Sequence, residues 1–215
     1  MSAIIKNMSF LDEEYPTGLT ISDPPYNQKY HYGTFKDNLK TDEYLGLLSG
    51  IKLPCVIIHY PEETINLLPL VFGKCEQVVT WVYNSNTGKQ SRLISWWGCK
   101  PDLRLVRQPY KNLNDKRIKK RIADGKTGAK LYDWWEINQV KNVSKEKTKH
   151  PCQIPEELIR RIILTTAKKN QLIIDPFAGS GTTLKVANDL GFNSIGYDVD
   201  KEYCDIITER LGLFA

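Results

Sequence analysis

The sequence predicts an α/β fold: a mostly parallel β-sheet with helices on both faces and a small basic insertion. Three observations carry this expectation. β-like runs alternate with amphipathic helical runs through much of the 215-residue chain, as in a parallel sheet covered on both sides. A Gly-rich turn, Asp175-Pro176-Phe177-Ala178-Gly179-Ser180-Gly181-Thr182-Thr183, joins one such strand to one such helix. The following strand ends in Asp198, 19 residues beyond Gly179, which is Rossmann-type spacing.

In chain order, residues 18–22 form a short β-like run that ends at Asp23-Pro24-Pro25-Tyr26. Residues 41–51 have helical spacing in Tyr44, Leu45, Leu47, Leu48 and Ile51, with Thr41 placed as the cap. The apolar run 55–59 reads as a buried strand, and 61–68 as a helix opened by Pro61. Residues 77–83 and 92–97 read as strands around the loop residues 84–88. Between 100 and 150 charges and glycines break any period, leaving an irregular excursion with one short helix at 114–123. Order returns at Pro155: Leu158, Ile159, Ile162 and Ile163 form a helical stripe. A strand at 172–174, a helix at 182–190, a strand at 193–197 and a helix at 201–211 follow, the last capped by Asp200.

Length fits a single domain spanning 1–215, with 100–149 as an insertion within it. Hydrophobic residues make up 41%, enough for a core, and the mean hydropathy is −0.41. No apolar run approaches the roughly 20 residues of a membrane span, and residues 1–6 lack a secretory h-region. The five cysteines are scattered without metal-ligand spacing, so free thiols in a reducing compartment are expected, with no metal site and no membrane partner. The net charge of +5 is unevenly spread. Residues 100–150 carry 15 Lys/Arg against 6 Asp/Glu, leaving the remainder mildly acidic. A basic segment on such a body suits a polyanion, although a solvated lysine-rich loop has the same composition.

Two clusters carry chemistry. In the Gly-rich turn, glycine permits close backbone approach and the helix start presents free N–H groups, a cradle for a nucleotide-like cofactor. The absence of a following Gly-Lys-Ser/Thr excludes a P-loop. Asp198 is placed to accept bonds from ribose hydroxyls. The first cluster suits a planar amino group. An exocyclic base amine is a poor nucleophile because its lone pair is delocalised into the ring. Two acceptors on its two hydrogens, the Asp23 carboxylate and the Pro24 carbonyl, would free that lone pair. Tyr26 would stack on the base, and catalysis would be positioning plus electrostatics. Taken alone, Pro24-Pro25 is also an ordinary turn.

With these clusters in place, the chain resembles the beta-class S-adenosylmethionine-dependent DNA amino-methyltransferases. The resemblance runs through Asp23-Pro24-Pro25-Tyr26-Asn27, Phe35-Lys36-Asp37, Glu43-Tyr44-Leu45 and Val79-Thr80-Trp81. It continues through Asp133-Trp134-Trp135, His150-Pro151-Cys152-Gln153-Ile154-Pro155, Asp175 to Thr183, Ile195-Gly196-Tyr197-Asp198, Tyr203 and Glu209-Arg210-Leu211. The catalytic cluster preceding the cofactor cluster, with a basic variable segment between them, is the specific part. The resemblance implies a circularly permuted, seven-stranded, Rossmann-like methyltransferase sheet and S-adenosyl-L-methionine as cofactor. It implies DNA, double-stranded, as partner, with the target base flipped out of the helix, and a target-recognition region at 100–149. It also implies a cytoplasmic protein of prokaryotic or viral type, and a homodimer is conceivable because the recognition region is small. Residue by residue, Asp175 to Thr183 would cradle the methionine part of the cofactor and Asp198 its ribose. His150, Pro151 and Cys152 would line the methionine end. Asn7 is the candidate for the cofactor's adenine, standing where members tend to have Gly-Asp. Ile154 stands where members often carry lysine. Asp at position 23 leans toward adenine N6 over cytosine N4.

The DNA contacts are assigned to Lys116, Arg117, Lys119, Lys120 and Arg121 as phosphate trackers, and to Arg104, Arg107 and Lys111, where base readout and backbone contact are not separable. Competing readings remain: cytosine N4, an RNA base, or a nucleotide-binding module without catalysis. Pro54-Cys55 and Pro151-Cys152 raise C5-cytosine chemistry, which uses a thiolate nucleophile, but neither pair follows the Gly-rich turn. Trp96-Trp97 and Trp134-Trp135 read as core or interface rather than as base-stacking plates.

Overall fold

The computed structural model describes residues 2–213 apart from 33 and 86, so Asn86 of the loop at 84–88 lies outside the described residues. The chain opens with β1 (Ala3–Asn7), a strand that sequence reading missed. It is a half-exposed edge strand with no clean alternation, and so carries little periodic signal. The fully buried β2 (Leu19–Ser22) leads into the Asp23 cluster, and a two-stranded ribbon of β3 (His31–Tyr32) and β4 (Phe35–Lys36) follows. Helix α1 (Thr41–Ser49) starts one residue earlier than the expected cap implied. Lys40 is the N-cap, and its N–H donates to Glu43 Oε2 at 2.9 Å, so Thr41 is the first helical residue.

After β5 (Cys55–His59), the expected single helix at 61–68 is broken into α2 (Pro61–Asn66) and α3 (Leu68–Phe72). Pro69 has no N–H to continue the first helix. The hairpin of β6 (Cys75–Val82) and β7 (Ser91–Trp97) precedes the basic segment. There β8 (Arg107–Gln108) pairs with β9 (Ala129–Lys130) around α4 (Lys116–Ala123), a helix with no buried residue. Its cap is Asp115, whose carboxylate accepts from Arg117 N at 2.7 Å. Then come β10 (Trp134–Glu136), α5 (Glu156–Thr166), β11 (Ile173–Asp175), α6 (Thr182–Asp189), β12 (Ser194–Asp198) and α7 (Lys201–Leu211).

Eight strands form the main sheet, in the order β1-β12-β11-β2-β5-β7-β6-β10, and only β7 runs against its neighbours. The mostly parallel sheet with helices on both faces is as expected; the strand count is one higher. The additional strand is β10, which adds to β6 in parallel with Trp135 opposite Trp81. The segment 100–149 is therefore not wholly an excursion. Leu131, Trp135 and Ile137 are buried with the core, and Trp81 Nε1 donates to the Ile137 carbonyl at 2.7 Å.

Successive residues of a strand point to opposite faces, and β5 shows both faces buried. Val56 and Ile58 join Leu158, Ile159, Ile162 and Ile163 of α5 on one side. Cys55 and Ile57 join Tyr44, Leu48, Leu68 and Phe72 of α1 and α3 on the other. The tryptophan pairs split in the same way. Trp96 and Trp97 are both fully buried, on opposite faces, while Trp135 is buried and Trp134 is exposed.

The chain order reverses at the β11–β2 seam, where Ile173 pairs with Leu19 and Ile174 with Thr20 in parallel. Such a switch point opens a crevice beyond the carboxyl ends of the strands. If β10 belongs to the sheet, Trp135→Ala should cost about 3–5 kcal/mol by urea unfolding, while Trp134→Ala on the exposed side should cost under about 1 kcal/mol.

A candidate active site at the carboxyl edge of the sheet

A cavity of about 290 Å³ opens at this seam, and Asp23 to Tyr26 line it together with Asp175 to Ser180, Thr182 and Thr183. The two clusters that lie far apart in sequence are therefore neighbours. Gly181 stands behind the wall. At φ +73° it is the N-cap of α6, and a Cβ there would come within 2.7 Å of Ile207 Cγ1. Gly179, at φ +50°, lies against the His150 ring, where a Cβ would come within 3.0 Å of Nε2. Arg210 anchors the turn from α7: it donates to the Ser180 carbonyl at 2.8 Å, to Thr182 Oγ1 at 3.0 Å and to Glu156 Oε1 at 2.6 Å.

Five aspartates line the cavity: Asp23, Asp37, Asp175, Asp198 and Asp200. Asp175 is buried and accepts from Phe177 N at 3.1 Å. Burial pushes its pKa up to about 7, against the pull of bonds from Thr183 and Phe177. Asp198 holds the turn itself. Its Oδ2 accepts from Gly179 N at 2.8 Å and its Oδ1 from Asp200 N at 2.9 Å, and burial raises its pKa as well. Burial likewise raises Asp23, against the field of Arg92 and a bond from Tyr26. Asp200 caps α7 by accepting from Glu202 N at 2.9 Å, and it also borders the cavity.

The Asp23 cluster is held from outside. The Asp37 carboxylate accepts from the backbone N–H groups of Asn27 at 2.7 Å, Gln28 at 2.9 Å and Tyr30 at 3.0 Å. The Pro25 carbonyl accepts from Tyr44 OH at 2.8 Å, and among the described residues no donor is bonded to the Pro24 carbonyl. Tyr26 OH donates to Asp23 Oδ1. The Tyr26 ring, expected to stack on the base, lines the cavity among other side chains. It is 8% exposed, 4.5 Å from the His59 ring and 4.8 Å from that of Tyr60, with the Arg92 guanidinium 4.9 Å from its centre. His59 is buried and its pKa falls to about 3, so this neighbour is neutral.

Other assignments divide. His150 and Cys152 line the cavity, but Pro151 does not and is exposed. His150 packs edge-on against Tyr203 at 4.4 Å, and burial lowers its pKa to about 4. Ile154 forms an apolar part of the wall. Asn7 does not reach the cavity. Its side chain donates to the Asp198 carbonyl at 3.1 Å, tying β1 to β12, and Met8, Ser9 and Phe10 beyond it form the wall instead. None of the eight basic residues assigned to DNA lines the cavity. Arg104 is tied to Asp102 by bonds of 2.8 and 2.9 Å, and Arg117 to Asp115 at 2.9 Å, so both spend charge locally. Lys111 sits 3.6 Å above the exposed Trp134 ring, while Arg107, Lys116, Lys119, Lys120 and Arg121 are exposed. Sequence reading missed Arg92, Tyr32 and Tyr60, which belong to no cluster; a single arginine beside an apolar strand run was the available signal. Among the described residues, no group of acids, histidines and cysteines is arranged to hold a metal ion, and no helix is long and apolar enough to cross a membrane.

The raised Asp175 makes a pH prediction. Its carboxyl binds a proton more tightly in the folded chain than at the unfolded value of 3.8. Its stabilising contribution is thus full below about pH 4 and is lost as pH rises through about 7. Asp175→Asn should remove that loss. The urea midpoint of the variant relative to the wild type should improve between pH 5 and pH 8.

Comparison with known proteins shows the family and the fold. A family model described as DNA methylase matches residues 57–209. The type II methyltransferase M.HpaI of Haemophilus parainfluenzae is 31% identical over 223 residues, covering 93% of this chain and 69% of the relative. The DNA adenine methyltransferase YhdJ of Escherichia coli is 27% identical, covering 90% and 75%. The chain spans only 34–48% of three other curated relatives. The crystal structure of the M1.HpyAVI–SAM complex superposes with a TM-score of 0.66 at 20% identity, covering 98% of this chain and 99% of that one, which shows the shared fold. The chain belongs to the DNA methylase family whose members methylate the exocyclic N6 or N4 amine of a base.

Proposed function

We propose that the protein is an S-adenosylmethionine-dependent DNA methyltransferase whose target is the exocyclic N6 of adenine. The observation that carries this reading is the single cavity shared by Asp23-Pro24-Pro25-Tyr26 and the Gly-rich turn, at the ends of the adjacent parallel strands β2 and β11. When bound, the cofactor supplies a methyl group on a sulfonium. The residues present fit it: a glycine turn permits close approach, Asp198 and Asp200 offer acceptors for ribose hydroxyls, and three enclosed carboxylates favour a cationic ligand. Phe10 and Phe177, 5.1 Å apart edge-to-face, form an aromatic corner suited to the adenine ring.

Asp23 Oδ1 is occupied by the Tyr26 hydroxyl, while among the described residues Oδ2 has no bonded donor. Asp23 and the Pro24 carbonyl accept the two amine hydrogens and turn the lone pair toward the methyl group. The enclosed site makes these fixed acceptors stronger than in water. The target base leaves the duplex to reach them. Tyr30, Tyr32 and Tyr60, on the cavity wall, are the aromatic surface it meets. The exposed cations of α4 follow the phosphate backbone. Adenine is preferred because Asp stands at position 23 and because an adenine methyltransferase is among the relatives. Cytosine N4 presents the same two amine hydrogens and is the second reading.

C5-cytosine chemistry fits poorly. Cys55 is buried, Cys152 lies on the cavity wall, and burial raises both thiols when a nucleophile needs the thiolate.

Methylating DNA in vitro, then analysing nucleosides by mass spectrometry and sites by single-molecule sequencing, tests the reading. N6-methyladenine is expected; N4-methylcytosine would move the target, and product on RNA alone or no product would overturn it. Asp23→Ala should keep cofactor affinity by calorimetry and lose about 10²–10³-fold in transfer. The double variant Cys55→Ser, Cys152→Ser should stay active. Lys116→Gln, Lys119→Gln, Lys120→Gln together should lower the salt slope of DNA binding by up to about 0.9 for each phosphate that the variant no longer neutralises.

A further inference from the structure

Arg92 stands at the cavity, and among the described residues it has no ion-pair partner. It lies on β7 opposite Trp81 of β6. Its guanidinium carbon is 4.9 Å from the ring centre of Tyr26, 5.2 Å from that of Trp81, 5.7 Å from that of Tyr60 and 5.9 Å from that of Tyr83. Nε is buried with no hydrogen-bond partner, and among the described residues no carboxylate comes within ion-pair distance. Aromatic faces attract a cation, but an enclosed charge also needs a counter-charge. The carboxylate that Tyr26 connects to this guanidinium is Asp23, which accepts from the Tyr26 hydroxyl.

We propose that Arg92 is a positioning residue that acts on Asp23 through Tyr26 with no direct ion pair, leaving an Asp23 oxygen free for the amine hydrogens of the target base. This deepens the methyltransferase reading and rests on it for the identity of the amine. A direct ion pair would engage the carboxylate oxygens that the substrate needs. A protonated Asp23 would present an O–H in place of an acceptor. A guanidinium held behind an aromatic ring supplies the field alone, and in an enclosed site that field is weakly screened.

The other groups around Asp23 do not duplicate it. Tyr26, Tyr32, Tyr44 and Tyr83 have hydroxyls raised by burial and stay neutral, as does the Cys152 thiol. The Asp23 charge instead helps to raise Asp175. His59 and His150 are neutral above about pH 4. Glu63 faces His59 at 3.7 Å, and Lys89, the next cation outward, lies 4.1 Å above Tyr60 and 3.4 Å from Glu62. Burial opposes the Arg92 charge, and Asp23 is the carboxylate among the neighbours that favour it. Asp23 in turn is pushed up by burial and drawn down by Arg92.

The test compares the wild type with Arg92→Met, Arg92→Lys and Arg92→Gln in the full chain. The Asp23 carboxyl is titrated by ¹³C NMR, assigned with Asp23→Asn, and kcat for methyl transfer is followed against pH. S-adenosylmethionine affinity by calorimetry controls for folding. In Arg92→Met the Asp23 midpoint and the acid limb of kcat should both move up by about 1 pH unit or more. Lysine should restore most of the shift, glutamine none, and cofactor affinity should hold. An Asp23 midpoint unmoved in Arg92→Met, or in Arg92→Gln should the methionine variant not fold, overturns the proposal. The carboxyl titration needs no turnover, so it judges Arg92 even if the wild type methylates nothing, a result that would sink the functional reading alone.

Discussion

The pairing of β11 with β2 is the contact on which the site depends. It sets a strand from the last quarter of the chain beside the first buried strand, in parallel and in register. Parallel pairing brings both carboxyl ends to the same edge, so Asp23 and Asp175 face one cavity. Burial on both sides explains why the seam holds its register. Ile21 and Ile173 enter one core and Ile174 the other, and a slip of one residue would exchange faces.

Around that seam the protein gathers negative charge and withholds water from it. Asp23, Asp175 and Asp198 are all raised by burial. They are kept in place by backbone N–H groups, by Tyr26 and by a distant arginine, with no direct ion pair to Lys or Arg among the described residues. If the proposed function holds, such a site would discriminate by charge. A cation entering it relieves repulsion that the fold otherwise tolerates, and a neutral analogue of the same shape relieves none.

The basic segment divides by depth. Its outer part, α4 with the β8–β9 ribbon, buries almost nothing and carries the cations. Its inner part, from Leu131 to Ile137, completes the sheet and covers the aromatic cluster of Trp81, Trp96 and Trp135. The exposed part of the segment is thus rooted in the core through its inner part.

Much of this was legible in the sequence. The strand at β2, the helix stripe of α5 and the turn from Asp175 to Thr183 each follow from local rules: period, capping and the permissiveness of glycine. Chain order and the spacing to Asp198 likewise needed no coordinates. What local rules cannot encode is pairing between distant segments. That is why β1 and β10 carry so little signal of their own: each lies at an edge of the sheet and pairs with a neighbour far along the chain. It is also why Asn7 reads as a cofactor ligand when the fold bonds its amide to the Asp198 carbonyl, and why the packing of Tyr26 against His59 is not legible in the chain. Arg92 is the clearest case. Its residue type is visible in the sequence, but its charge acts across space on Asp23, and only the tertiary structure sets the path between them.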